Sequence, residues 1–280
     1  MLVALAVCTA VLVLLATLGQ GDLPAPQRHS FNCTADGSRW PYLVQQTAAA
    51  PEAICINLYG HYSDHHQGMD VTLYNGFYLH QRVECLIRNW LYVCPWYGGN
   101  SWMGPIAESG MVDLIALLKE THGGLPVYLV GGSMGGSSAL VFGVRRPDLV
   151  EGIAVRCPAG DIESYYEYAA ASDNPTLQNI ADAIRIHYTA DGHTLSAELR
   201  ARSALQNVER LTMPLHICHG ASDAVIPVGA TRALVARLNE LGQRVEYVEI
   251  PGGGHDSPVA STQQWGDVLD FIAGVRPRRS

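Results

Sequence analysis

Val127-Tyr128-Leu129-Val130-Gly131-Gly132-Ser133-Met134-Gly135-Gly136 is the stretch that decides the fold. Its apolar opening reads as a buried strand, and a helical pattern follows from about Ser137. A Gly-x-Ser-x-Gly run between strand and helix marks a very tight turn. Ser133 must take a strained backbone conformation there, while Gly131 and Gly135 keep Cβ atoms out of the crowded space on either side. The turn lifts the hydroxyl clear of the sheet and aims the N-terminal N–H groups of the helix toward it. In a chain with 28 glycines the bare pattern is a weak signal. Its placement makes it strong.

Outward from that turn, short apolar runs alternate with helical stretches. Ala53–Tyr59, Trp90–Cys94, Pro126–Gly131, Gly152–Cys157, Pro214–His219 and Val245–Ile250 read as strands covered on both faces. Helices are expected around 68–89, 105–122, 134–146, 228–242 and 261–275, the fourth with Leu234, Val235, Leu238 and Leu241 on one face. Such alternation implies right-handed βαβ units and a mostly parallel sheet flanked by helices. The segment 161–211 breaks the rhythm. It holds helical material at 177–188 and 196–207 and the run Glu163-Ser164-Tyr165-Tyr166-Glu167-Tyr168, and reads as a helical cap insertion over a site.

A serine nucleophile needs a base, and the base needs an orienting carboxylate. Asp223 lies just past the strand that carries His216 and His219, and His255 stands in the glycine-rich loop Pro251-Gly252-Gly253-Gly254-His255-Asp256 after the next strand. The order Ser133, Asp223, His255 brings each group from the C-terminal end of a different strand, where open α/β sheets place their sites. A cap carboxylate such as Asp191 is the alternative acid, and His216 and His219 are competing bases with a more structural look.

With these three motifs the chain resembles the α/β-hydrolase superfamily over about residues 50–275. It looks most like compact esterases related to prolyl-oligopeptidase and dienelactone-hydrolase catalytic domains. The resemblance implies Ser133 as nucleophile, His255 as general base and then acid, and Asp223 as its orienter. It also places an oxyanion hole at the N–H of Met134 and in the loop Tyr59-Gly60-His61, where the family usually reads His-Gly-x and this chain has tyrosine first. The N–H of His61 is therefore the expected second donor. No cofactor is implied.

Tyr59, Trp96 and Trp102 are the rings expected to contact substrate, by stacking on a sugar or aryl group. His61, Asp64, His65, His66 and Asp70 crowd one loop, but adjacent histidines rarely converge on one ion, so no metal is expected.

Composition bounds the rest. The chain has 280 residues, 48% hydrophobic and 16% charged, with a net charge of −8 and Lys119 as its one lysine. That balance excludes nucleic acid as a partner. Residues 1–21, apolar and uncharged from Leu2 to Leu18, read as a signal peptide or, if uncut, an N-terminal anchor and the one link to a membrane. Residues 22–40 read as a linker and 41–280 as the catalytic domain. Export follows, with Cys33 and Cys85 as the one pair considered for a bridge. The expected activity is hydrolysis of small-molecule or carbohydrate-linked carboxylic esters, short acyl groups first. A prolyl-oligopeptidase-type peptidase using Glu163 and Glu167 is the alternative. With His255 neutral as base, activity should rise with an apparent pKa of about 6–7.

Overall fold

The computed structural model describes residues 23–260 and 264–274, apart from the side chain of Asp191. Its strands are β1 (Gln27–Asn32), β2 (Arg39–Gln45), β3 (Ala53–Leu58), β4 (Trp90–Pro95), β5 (Val127–Gly132), β6 (Gly152–Arg156), β7 (Leu215–Gly220) and β8 (Val245–Ile250). They form one eight-stranded sheet in the order β1-β2-β4-β3-β5-β6-β7-β8. β1 and β2 run antiparallel at one edge, and every pairing from β4 to β8 is parallel. The five strands from β3 to β7 are buried throughout, as their unbroken apolar sequences require.

Helices α1 (Leu73–Ile87), α8 (Ser257–Ala260) and α9 (Trp265–Ile272) cover one face. They pack Phe77, Val259, Trp265 and Leu269 against Cys55 and Tyr92. The other face receives α2 (Pro105–His122), α3 (Met134–Arg145) and α7 (Gly229–Glu240), whose Leu114, Leu140 and Leu234 meet Ile54, Ile56, Leu129 and Ile217. Alternate residues of β3 thus serve opposite cores, the period of two expected of a strand. α2 opens with Pro105, where no N–H is needed, and stops at Gly123 in the left-handed region at φ +84°.

The stretch 22–40, expected as a linker, instead contributes β1 and the start of β2. Phe31, Trp40 and Tyr42 pack together on the inner side of this hairpin. β1 is otherwise exposed, so its sequence carries too few apolar residues to announce a strand. The one pair considered for a bridge is not joined: Cys33 lies in the core on the α2 face and Cys85 in the core on the α1 face. All described cysteines are free and buried. Residues 1–21, read as signal or anchor, lie outside the described residues. No described helix is long and apolar enough to cross a membrane.

Residues 161–211 form the cap: α4 (Ile162–Ala170), α5 (Pro175–Tyr188) and α6 (Leu195–Arg202) with short 3₁₀ turns. Asp161 caps α4 by accepting from Glu163 N at 3.1 Å, and Asn174 caps α5 by accepting from Thr176 N at 2.9 Å. The cap is bolted down. Arg202 is buried, and donates to Glu108 Oε2 and Glu198 Oε2, each at 2.8 Å, and to the Met103 carbonyl at 2.9 Å. Arg145 and Arg146 reach the same Glu108 carboxylate from the end of α3.

Candidate active site

The order in which strands are added to the sheet reverses between β3 and β5. After β3 the chain crosses outward to β4, and after β5 it crosses the other way to β6. The two strand ends, paired at Leu58 and Gly131, open a crevice between the loops that follow them. Ser133 stands at that opening with φ +55° and ψ −122°, a conformation costing on the order of 1–3 kcal/mol in a non-glycine residue. Its N–H donates to the Arg156 carbonyl at 2.9 Å, tying the turn to β6. A Cβ at Gly131 would lie 2.6 Å from the Gly135 carbonyl carbon, and one at Gly135 would collide with the Leu58 carbonyl oxygen. Both glycines are steric requirements of the turn.

His255 reaches across from the loop after β8. Its Nε2 is 2.9 Å from Ser133 Oγ, and its Nδ1 is 2.7 Å from Asp223 Oδ2. Asp223 is itself fixed. Its Oδ1 accepts from the N–H groups of Val225 at 2.8 Å and Ile226 at 2.9 Å, while His219 Nε2 stands 3.2 Å from Oδ2. Burial pushes the Asp223 carboxyl up, but hydrogen bonds from His219 and His255 outweigh it and hold the group well below the usual carboxylate range. Burial pushes His255 down, while its bonds to Asp223 and Cys157 outweigh that and raise the ring above an ordinary histidine.

His219 supports the acid and does not compete for the serine. His216 lies buried beside the Arg156 guanidinium; burial and then that charge push it down to about 3. The side chain of Asp191, the alternative acid, lies outside the described residues.

Met134 is the first residue of α3, so its N–H has no intrahelical acceptor. The facing loop is held by several bonds. Gly60 N donates to Gln67 Oε1 at 2.8 Å and Tyr62 N to Asn100 Oδ1 at 2.9 Å. The His61 ring is gripped on both sides. Trp102 Nε1 donates to its Nδ1 at 3.2 Å, which leaves the proton on Nε2 to donate to Asn179 Oδ1 at 3.0 Å. Burial lowers the His61 pKa, keeping that ring neutral.

Two of the expected substrate rings have other work. Tyr59 is buried, its hydroxyl donating to Gly99 O at 3.2 Å and accepting from Gly99 N at 3.0 Å, with its ring stacked on Trp96. Trp102 is wholly buried against His61 and Tyr165. Large aromatic rings beside a site are as useful for bracing loops as for meeting substrate, and sequence cannot separate the two. Trp96 alone of the three is part exposed. The cap rings Tyr165 and Tyr168 continue this aromatic row from Trp102, and Tyr168 Oη donates to the Ala224 carbonyl next to Asp223 at 2.9 Å.

Among the metal-prone residues, Asp64, His65 and His66 gather their donor atoms within 4.8 Å of one another, while His61 faces the cap instead. Sequence reasoning passed over Cys157. Its sulfur lies within 4.8 Å of donor atoms of both Asp223 and His255. The one sequence signal was its place at the end of an apolar run, which does not by itself set it apart from the other buried cysteines.

Comparison with known proteins bears on the fold and the class of enzyme. The family model "Serine aminopeptidase, S33" matches residues 109–204. A pimeloyl-[acyl-carrier protein] methyl ester esterase of Chromobacterium violaceum is 25% identical over 75% of this chain and 93% of its own. A monoacylglycerol lipase of Mycolicibacterium smegmatis is 25% identical over 51% of this chain and 60% of its own. Among solved structures, an S-formylglutathione hydrolase from Agrobacterium tumefaciens superposes with a TM-score of 0.64 at 16% identity, covering 90% of this chain and 98% of that one. A puromycin-hydrolyzing peptidase of Mycobacterium tuberculosis gives 0.68 at 16% identity, and this chain spans 40% of its length. The fold is the α/β-hydrolase fold. The chain is a serine hydrolase of that type.

Proposed function

We propose that the protein hydrolyses carboxylic esters through an acyl-enzyme on Ser133. The observation that carries this is the unbroken line from Asp223 through His255 to Ser133, with bonds of 2.7 and 2.9 Å. Ser133 Oγ attacks the ester carbonyl as His255 Nε2 takes its proton. The N–H groups of Met134 and His61 receive the developing oxyanion. His255 then gives its proton to the leaving alcohol, and a water deprotonated by the same ring releases the acid. Asp223 stays ionised throughout, holding the ring and stabilising its cationic form.

The cap supports small acyl groups. It sets Tyr165, Tyr166, Tyr168 and Tyr188 among Asp, Glu, Arg and His, with no long apolar run to line a fatty-acyl channel. The proposal also includes export, resting on the sequence of residues 2–18 alone. A peptidase reading draws on the name of the matched family and on the exposed carboxylate of Glu167. Against it, Glu163 is already engaged by Arg200 at 3.2 Å and Gln206 at 2.6 Å. Turnover of p-nitrophenyl esters from acetyl to palmitoyl, beside aminoacyl p-nitroanilides, tests the reading. Acetyl to butyryl esters should lead. A steady rise toward palmitoyl would make the protein a lipase, and preference for the anilides a peptidase.

A further inference from the structure

Cys157 has no part in the proton relay, yet it meets the relay at its centre. It follows β6 in a left-handed conformation at φ +43°, unusual for a residue with a side chain. Its N–H donates to the Cys218 carbonyl at 2.8 Å, which fixes that conformation. The thiol is buried and shares its surroundings with Asp223 and His255, the donor atoms of all three lying within 4.8 Å of one another. An observed backbone outlier at a functional site calls for a functional account.

We propose that Cys157, Asp223 and His255 form an inhibitory site for a soft divalent cation, Zn²⁺ above all. Sulfur, imidazole nitrogen and carboxylate oxygen are the donors zinc takes, and three protein ligands with an open fourth position match its common site. Zinc bonds to nitrogen and sulfur would set the donors roughly 3.5 Å apart, so with all three within 4.8 Å of one another the ion needs only a local shift, in which the 2.7 Å between Asp223 Oδ2 and His255 Nδ1 opens. Thiolate and carboxylate together cancel the 2+ charge, which suits a site with little water. Magnesium and calcium, which seek oxygen donors, gain little from this set. His255 is part exposed and gives the ion its route from the cleft.

Binding stops catalysis by arithmetic of lone pairs. As the sulfur–metal bond forms, the Cys157 thiol releases its proton to water. The neutral imidazole keeps one proton. If the metal takes Nδ1, that proton moves to Nε2; if it takes Nε2, the lone pair there is used. Either way His255 can no longer accept the proton of Ser133, and no oxidant or reductant is involved.

The inference rests on the ester-hydrolase reading only where lost turnover is the readout. Calorimetric titration with ZnCl₂ and p-nitrophenyl acetate hydrolysis are compared for wild type, Cys157→Ala, Cys157→Ser and the double variant His65→Ala/His66→Ala. Each is scaled to its own zinc-free rate. One zinc should bind and inhibit the wild type and the histidine double variant alike. Half-inhibition should need at least about tenfold more zinc once Cys157 is changed, the scale by which even outer partners of a metal site alter affinity. Equal sensitivity of the Cys157 variants, or loss of inhibition in the histidine double variant, overturns the proposal. Cobalt(II) added to the wild type reads the sulfur directly and needs no variant to fold. A cobalt–thiolate charge-transfer band supports the site and its absence refutes it. If the band appears but no ester is turned over, the ester reading fails while the metal site stands.

Discussion

Trp102 donates its indole N–H to Nδ1 of His61 across 3.2 Å, and Asn179 holds the opposite nitrogen of the same ring at 3.0 Å. A residue of the loop after β4 and one of the cap therefore fix the ring of the residue whose N–H is proposed as the second oxyanion donor.

That grip should act on the transition state and not on ground-state binding. Trp102→Phe and Asn179→Ala should lower kcat while leaving KM nearly unchanged. Losing a whole oxyanion donor costs about 10²–10³ in kcat, so a loosened one should cost on the order of tenfold. Steady-state kinetics on a short-chain ester checks this. An effect confined to KM would make both residues substrate contacts.

The pH profile should be displaced toward alkali. His255 must be neutral to act as base, and its pKa is raised, so kcat/KM should rise through a midpoint above the ~6.5 of a free histidine. The 6–7 expected from sequence took no account of Cys157. Cys157→Ala removes one partner of the cationic ring and should move the midpoint to lower pH. A midpoint unchanged by that substitution would show that Asp223 alone sets the shift.

Glu108 and Arg202 join the cap to the body by a buried ion pair at 2.8 Å. Removing one partner of such a pair costs about 3–5 kcal/mol, and Arg145 and Arg146 should hold Arg202→Met to the lower end of that range. The sign with pH follows. Burial raises the Glu108 carboxyl, but Arg202 and Arg145 outweigh it and its folded-state pKa is depressed. Its contribution is therefore full above the unfolded value of about 4.3 and is lost as pH falls through the folded one. Urea unfolding of wild type and Arg202→Met at pH 7 and pH 3 should show a gap that narrows in acid.

Much of this molecule could be read from the chain. Strands buried on both faces write themselves as continuous apolar runs, and Gly131, Ser133 and Gly135 declare a turn whose sterics admit few other residues. What escaped has physical causes. β1 is an edge strand with one buried ring, Phe31, so its polar sequence resembled a linker. Tyr59 and Trp102 were legible as rings beside the site, but their burial depends on neighbours distant in sequence. Cys157 resembled the small hydrophobe that most buried cysteines are. Only folding brings it to His255.

The turn itself predicts a steric failure. Gly135→Ala would drive a methyl into the Leu58 carbonyl oxygen, backbone that cannot give way cheaply. Overpacking of this kind costs about 1–3 kcal/mol or more and should misplace Ser133. Thermal unfolding should show a lowered Tm, with activity falling further than stability alone explains. A fully active, equally stable variant would refute the turn geometry.

The central claim is that Ser133 is a nucleophile activated by His255. The most direct measurement is labelling with a fluorophosphonate, followed by peptide mass spectrometry. One adduct per chain is expected, on Ser133, abolished in Ser133→Ala and slowed by orders of magnitude in His255→Ala. An adduct on another residue, or undiminished labelling of Ser133→Ala, would contradict the account.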